Sequence, residues 1–275
     1  MLEERKMKKI KLTTSLKKLP ADLYTPVGIY LRLRDKFRDT ILLESTDHHT
    51  SENSFSFIAI NAIAGMEITS NEEVECKYPD CEPEKIKLAD TEVPDMIWNF
   101  MNRFEVITTL KEEAYAQGLF GYTSFDAVTF FETVKFRHKE YRLNSGDHQE
   151  YIPLMRYRLY QYVIAIDHFR DEMLLLENHV DGLNGNKQQI EDIIFGKDLP
   201  QFPFSLNGDE VSNMLDEAYL EMVKKGIGHC NRGDVFQIVL SRRFQQSFKG
   251  DEFNVYRALR MINPSPYLFY RSEEH

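Results

Sequence analysis

The stretch 159-LYQYVIAIDHFRDEMLLLEN-178 gives the clearest indication of the fold, because it predicts a β-hairpin. Two runs rich in apolar residues flank the polar turn at residues 167–170. This pattern is typical of two antiparallel strands that are joined by a short turn.

A second strand pair is predicted nearer the N-terminus. Residues 40–45 (TILLES) read as a short buried strand, and residues 54–61 (SFSFIAIN) alternate phenylalanine with serine in the manner of a strand. Thr25-Pro26 predicts a helix start, with Thr as N-cap and Pro at the first helical position. Strands and helices follow one another without a regular βαβ order, which favours the α+β class, with largely antiparallel sheets and helices packed outside.

Three further helices are predicted along the chain. One covers residues 96–116, and a short one covers 253–261. Between them, Asn207 and Glu210 have the spacing of a capping box and predict a helix that ends near 231–233.

Glycine marks two other segments. Residues 118–128 (GLFGYTSFDAV) carry two glycines beside aromatic residues, which predicts a strand that another backbone approaches closely. Residues 181–209 hold glycine and asparagine and are predicted to be a loop or internal linker.

Composition excludes several classes of protein. Of the 275 residues 42% are hydrophobic, so general disorder is excluded, and the net charge of −10 argues against nucleic acid as the main partner. The basic N-terminus lacks the apolar centre of a secretory signal, and the apolar run 162–166 is far too short to cross a membrane. A cytoplasmic protein is predicted.

Cysteines and histidines do not form a metal motif. Cys76 and Cys81 have no histidine nearby and are interpreted as unpaired loop thiols in a reducing compartment. His48, His49 and His168 fall in predicted hairpin loops and are interpreted as solvated, so no metal site is predicted in this chain.

Residues 235–244 (VFQIVLSRRF) predict a strand that carries polar side chains on one face. A period of two places Gln237 and Ser241 together on that face. A buried polar group without a partner costs about 1–3 kcal/mol, so Gln237 either ties neighbouring backbone together or lines a functional site.

Four segments together resemble a known family. GDVFQIVLSRRF at 233–244 resembles the signature of component I, the large subunit, of the anthranilate synthases, which are chorismate-utilising enzymes. LLES at 42–45, GLFGYTSFDAV at 118–128 and NPSPYLF at 263–269 agree with it and lie in the family's order. The resemblance covers the chain from about residue 8 to 270.

This resemblance implies an activity. Family members convert chorismate and ammonia to anthranilate and pyruvate with Mg²⁺ in tryptophan biosynthesis, and a glutaminase subunit (component II) delivers the ammonia. Water-adding relatives carry a lysine base where this chain has Gln237. Because ammonia needs no such base, Gln237 fits amination and is expected to line or orient the active site.

The resemblance also implies a feedback site for L-tryptophan. By motif it would contain Glu44, Ser45, Pro266, Tyr267 and Leu268. A carboxylate and a hydroxyl can receive the ammonium group of the amino acid, and a proline-fixed turn beside a tyrosine offers backbone and an apolar wall for an indole. The alternative is that Glu44 ends an exposed strand and the prolines only shape a turn.

The expected organisation follows from the family's order. Residues 1–180 are a regulatory region, 181–209 a linker, 210–270 the start of a chorismate-binding region, and 271–275 a non-native tail. The main catalytic residues and the Mg²⁺ ligands are expected beyond this chain, so the fold is incomplete without a C-terminal half and the chain alone is predicted to be inactive.

Three alternatives stay open. Component I of aminodeoxychorismate synthase is the nearest, whereas isochorismate or salicylate synthase fits Gln237 less well. A non-catalytic amino-acid-binding module is the alternative from another class.

Overall fold

The computed structural model describes residues 9–45, 54–69, 73–88, 92–134 and 152–272. It confirms the α+β class, with twelve strands and five α-helices in the described part of the chain. The strands are β1 (Ile10–Pro20), β2 (Ile41–Ser45), β3 (Phe55–Ile68), β4 (Glu73–Lys77), β5 (Glu84–Lys87), β6 (Phe104–Ile107), β7 (Phe120–Thr123), β8 (Met155–Asp167), β9 (Glu172–His179), β10 (Phe204–Ser212), β11 (Phe244–Gly250) and β12 (Tyr267–Arg271). The helices are α1 (Pro26–Leu33), α2 (Val93–Asn102), α3 (Lys187–Ile194), α4 (Asp216–Arg232) and α5 (Phe253–Ile262).

Ten of these strands form one sheet within the described residues. Its main path runs β12-β2-β3-β8-β9-β1-β6, while β7 pairs with β8 and the hairpin β4–β5 extends from β3. The pairing of β1 with β6 is parallel, and the other pairings in the sheet are antiparallel. No helix in the described residues is long and apolar enough to span a membrane.

The predicted hairpin is confirmed as β8 and β9, and it lies at the centre of the sheet. Its turn is held by the Asp167 carboxylate, which accepts hydrogen bonds from the backbone N–H groups of Phe169 at 3.0 Å and Arg170 at 3.1 Å. Ile164 and Val163 point to opposite faces and are both fully buried, which shows that both faces of the sheet are covered here.

Helix α1 covers one face of the sheet beside β2 and β3. It begins as predicted, because the Thr25 Oγ1 accepts a hydrogen bond from the Gly28 N–H at 3.1 Å and Pro26 stands in the first turn. Its residues Ile29, Tyr30 and Leu33 are fully buried.

Two predicted helices are wrong in their extent. The helix predicted over 96–116 ends at Asn102, because β6 then pairs with β1. The helix predicted from the Asn207 cap begins at Asp216 instead, because 204–212 pairs with β11. In both places strand pairing outweighs a local helix signal.

The segment 181–209 is not a continuous loop. It contains α3, whose N-cap is Asn186: the side-chain oxygen accepts a hydrogen bond from the Gln189 N–H at 3.1 Å. Ile190 and Ile194, four residues apart, are buried on one side of this helix. The same segment also contains the first residues of β10.

The chain divides into two compact units. One comprises residues 1–200 with 264–275 and contains the ten-stranded sheet and α1–α3. The other comprises 201–263 and contains the β10–β11 pair with α4 and α5. The functional division of the chain at residues 180 and 210 stays a prediction.

Arg271 and Ser272 occupy defined places in the sheet. The Arg271 guanidinium is 8% exposed and donates a hydrogen bond to Asp39 at 3.1 Å, and the Ser272 N–H bonds to the Thr40 carbonyl at 3.1 Å. Residues 273–275 lie outside the described residues, and the non-native origin of 271–275 stays a prediction.

Two arginines of β8 share one carboxylate of β3. Arg156 donates to Glu67 Oε1 at 3.0 Å and Arg158 donates to Glu67 Oε2 at 2.8 Å. Burial alone would raise the pKa of Glu67, but hydrogen bonds and charge from both arginines outweigh it and hold the pKa below its ordinary value.

We therefore expect Glu67→Gln to lower the free energy of unfolding by about 2 kcal/mol at pH 7, since it removes the carboxylate that two half-buried arginines share. A carboxyl with a depressed folded-state pKa stabilises the fold above its unfolded pKa. The difference between variant and parent should therefore shrink as the pH falls below about 4. Urea unfolding from pH 3 to 8 measures this, with Glu221→Gln, which breaks an exposed pair with Lys224, as the control. A difference in unfolding free energy between variant and parent that does not change with pH would contradict the depressed pKa of Glu67.

Candidate functional site

The structure brings two distant segments of the chain together. β12 pairs antiparallel with β2, and in this register Tyr267 lies opposite Ser45 and Leu268 lies opposite Glu44. Pro266 stands directly before β12 and is exposed. Four of the five predicted residues thus stand opposite one another in paired strands, and their binding of a ligand stays a prediction.

The pairing also fixes which residues share a face of the sheet. Directly opposed residues of an antiparallel pair lie on the same face, and successive residues alternate. Glu44 and Leu268 therefore share the face of Tyr270, whose ring lies 5.8 Å from that of Tyr30 in α1. Ser45 and Tyr267 share the opposite face.

This alternation constrains how a ligand can use both polar groups. A ligand that lies flat on one face of β2 can reach the Glu44 carboxylate or the Ser45 hydroxyl, but not both. Because Ser45 is the last residue of β2, a ligand that lies across the end of the strand can reach both.

Burial differs sharply among the five residues. Glu44 is 3% exposed and Ser45 is 6% exposed, whereas Tyr267 is 80% exposed. The alternative in which Glu44 ends an exposed strand is therefore wrong. An ammonium group placed against a sheltered carboxylate interacts with it more strongly than it would in bulk water. The exposed tyrosine ring is available to cover an aromatic ligand.

The backbone N–H and the side-chain hydroxyl of Ser45 are each held by a serine, one just before β3 and one near its start. The Ser45 N–H donates to Ser56 Oγ at 3.1 Å, and Ser45 Oγ lies 3.2 Å from Ser54 Oγ. Ser56 Oγ in turn lies 2.7 Å from His168 Nε2.

His168 is therefore not the solvated loop histidine predicted from the sequence. It is half-buried and bound to a fully buried serine. The sequence analysis did not connect Ser54, Ser56 and His168 with Ser45, although serine at every second position of an apolar strand was a usable signal for Ser54 and Ser56. His48 and His49 lie outside the described residues.

The predicted strand at 235–244 is wrong. Residues 235–243 have irregular backbone, β11 begins only at Phe244, and Val239 is 82% exposed. An apolar run becomes a strand only where a neighbouring strand pairs with it, and in the described residues none pairs with this segment. Gln237 is exposed there, and its active-site role stays a prediction.

The described residues contain no group of three or more histidine, cysteine, aspartate or glutamate side chains arranged to hold a metal ion. Cys76 is buried in β4, where burial raises the pKa of its thiol to about 11, which disfavours the thiolate that metal binding needs.

Comparison with known proteins gives one family match. The sequence profile of the chorismate binding enzymes matches residues 40–275.

Curated relatives are similar over most of this chain. Component 1 of anthranilate synthase from Lactococcus lactis is 26% identical over 268 residues, which are 93% of this chain and 54% of the relative. Alpha subunit 2 of the chloroplastic anthranilate synthase of Arabidopsis thaliana is 33% identical over 179 residues, which are 58% of this chain and 28% of the relative. The chain spans about half the length of the curated relatives that it matches over most of its own length.

A solved structure is similar in fold. The crystal structure of anthranilate synthase component I from Streptococcus pneumoniae superposes with a TM-score of 0.51 at 18% identity. The match covers 90% of this chain and 53% of that one.

Proposed function

This chain belongs to the family of chorismate binding enzymes, and from that premise we propose that it is the N-terminal, feedback-regulatory part of an anthranilate synthase component I. The parent enzyme converts chorismate and ammonia to anthranilate and pyruvate in tryptophan biosynthesis. A glutaminase subunit supplies the ammonia, and the complex works in the cytoplasm. The relatives named above support this assignment, as does their greater length.

One observation carries the regulatory role: the pairing of β2 with β12 places Glu44 and Ser45 beside Leu268 and Tyr267. The proposed ligand is L-tryptophan, bound across the end of these two strands. Its ammonium group meets the Glu44 carboxylate and the Ser45 hydroxyl, and its indole lies against Tyr267 and the turn at Pro266.

In this proposal the catalytic chemistry belongs to the complete enzyme. Mg²⁺ would be held by residues beyond this chain and would offset negative charge on the substrate. Gln237 would line the chorismate site once its segment pairs with strands supplied by the rest of the fold.

The Ser45→Ala variant of the complete parent protein tests the regulatory site. We expect the tryptophan concentration for half inhibition to rise about tenfold, as loss of a hydrogen bond to a charged group predicts. Turnover with saturating ammonia should stay within about twofold, since Ser45 is not placed in the catalytic machinery.

Ser15→Ala on β1, four strands away from β2, is the matched control: its hydroxyl also contacts a histidine, at 2.8 Å from His179 Nε2, and its loss should change neither quantity. Inhibition that is unchanged in Ser45→Ala would remove Ser45 from the site.

A further inference from the structure

The turn between β8 and β9 holds the end of β2 through His168. The backbone N–H of His168 donates to the Ser54 carbonyl at 3.1 Å, and the Nε2 atom of its ring lies 2.7 Å from Ser56 Oγ. One histidine therefore contacts both serines that hold Ser45.

On its β3 side, the end of β2 depends on this contact more than the rest of the strand does, while its other side pairs with β12. The ladder between β2 and β3 pairs residues 41–43 with 57–59. Beyond it, the Ser45 N–H bonds to the Ser56 hydroxyl at 3.1 Å instead of to a backbone carbonyl. A hydroxyl can rotate, so its direction is set by its other partner, which is His168.

Either tautomer of the His168 imidazole can set the direction of the Ser56 hydroxyl. Ser56 Oγ accepts the Ser45 N–H with one lone pair. It can then donate its own hydrogen to an unprotonated Nε2, or accept Nε2–H with its second lone pair. In both cases the imidazole sets the direction of the Ser56 hydroxyl, and this hydroxyl holds the backbone N–H of Ser45.

We infer that His168 is a positioning residue for the amino-acid site: through Ser56 it fixes the backbone of Ser45, and with it the geometry of the end of β2. This inference rests on the proposed function for the identity of the ligand. The positioning of Ser45 itself does not require a ligand to be present.

The test is amide hydrogen exchange of residues 41–45 in the complete parent protein without ligand, followed by tryptophan affinity measured by calorimetry. His168→Ala and Ser56→Ala should each speed exchange of the Ser45 amide about tenfold and weaken tryptophan binding about tenfold, the effect of one hydrogen bond. His168→Gln, whose amide reaches the place of Nε2, should restore both quantities to within about threefold of the parent.

His179→Ala is the matched control. It removes a similar contact in the same sheet, between His179 Nε2 and Ser15 Oγ at 2.8 Å on β9 and β1, and should leave both quantities unchanged.

The exchange measurement tests whether His168 positions Ser45, and the calorimetry tests whether tryptophan is the ligand. Unchanged exchange at Ser45 in His168→Ala, or an equal rise in His179→Ala, would overturn the positioning role. If the unmodified protein binds no tryptophan, the proposed ligand fails, and the exchange result alone still decides whether His168 positions Ser45.

Discussion

The 275-residue chain by itself is expected to form no anthranilate from chorismate and ammonia. It spans about half the length of the curated relatives that it matches, and the segment that holds Gln237 is exposed irregular backbone. Large apolar side chains of the unit 201–263 are also strongly exposed: Leu206, Leu215, Phe236, Val239, Met261 and Ile262. Exposed apolar side chains in this number are expected to promote self-association of the chain.

The fluorescence of anthranilate shows whether product is formed. Light scattering of the same sample measures the self-association that we expect from the exposed side chains. Component 1 from Lactococcus lactis, assayed in parallel, is the positive control. A monomeric preparation of the chain that forms anthranilate would refute the prediction.

Gly121→Ala is expected to lower the free energy of unfolding by about 3 kcal/mol, at the upper end of the usual cost of overpacking. A Cβ atom at Gly121 would lie 1.9 Å from the backbone carbonyl oxygen of Arg156 in the neighbouring strand β8. Backbone cannot move aside as a flexible side chain can, so β7 would have to separate from β8.

Gly118→Ala is the matched control for this prediction. A Cβ atom there meets nothing within 4 Å, and the substitution should change stability by less than about 0.5 kcal/mol. Urea unfolding followed by circular dichroism measures both variants. Equal stability of the two would show that β7 does not approach β8 as described.

Local patterns predicted the parts of the fold that depend on near neighbours in sequence. Apolar runs around a polar turn predicted β8 and β9, and Thr25-Pro26 predicted the start of α1. The glycines of 118–128 predicted a close backbone approach, which the structure shows at Gly121 and not at Gly118.

Elements that depend on distant partners were not predictable in the same way. Residues 235–243 have the composition of a strand, but composition cannot supply a neighbouring strand. The contact of His168 with Ser56 joins residues 112 positions apart, and neither residue type by itself indicates the other. Resemblance to a family placed Glu44 and Ser45 near Tyr267 and Leu268, which no periodicity in the sequence could have done.

The most direct test of the proposed function is the product formed from chorismate and ammonia by the complete parent protein, with and without L-tryptophan. We expect anthranilate, formed at a rate that tryptophan suppresses. Aminodeoxychorismate as the product, or anthranilate formed at a rate that tryptophan does not change, would contradict it.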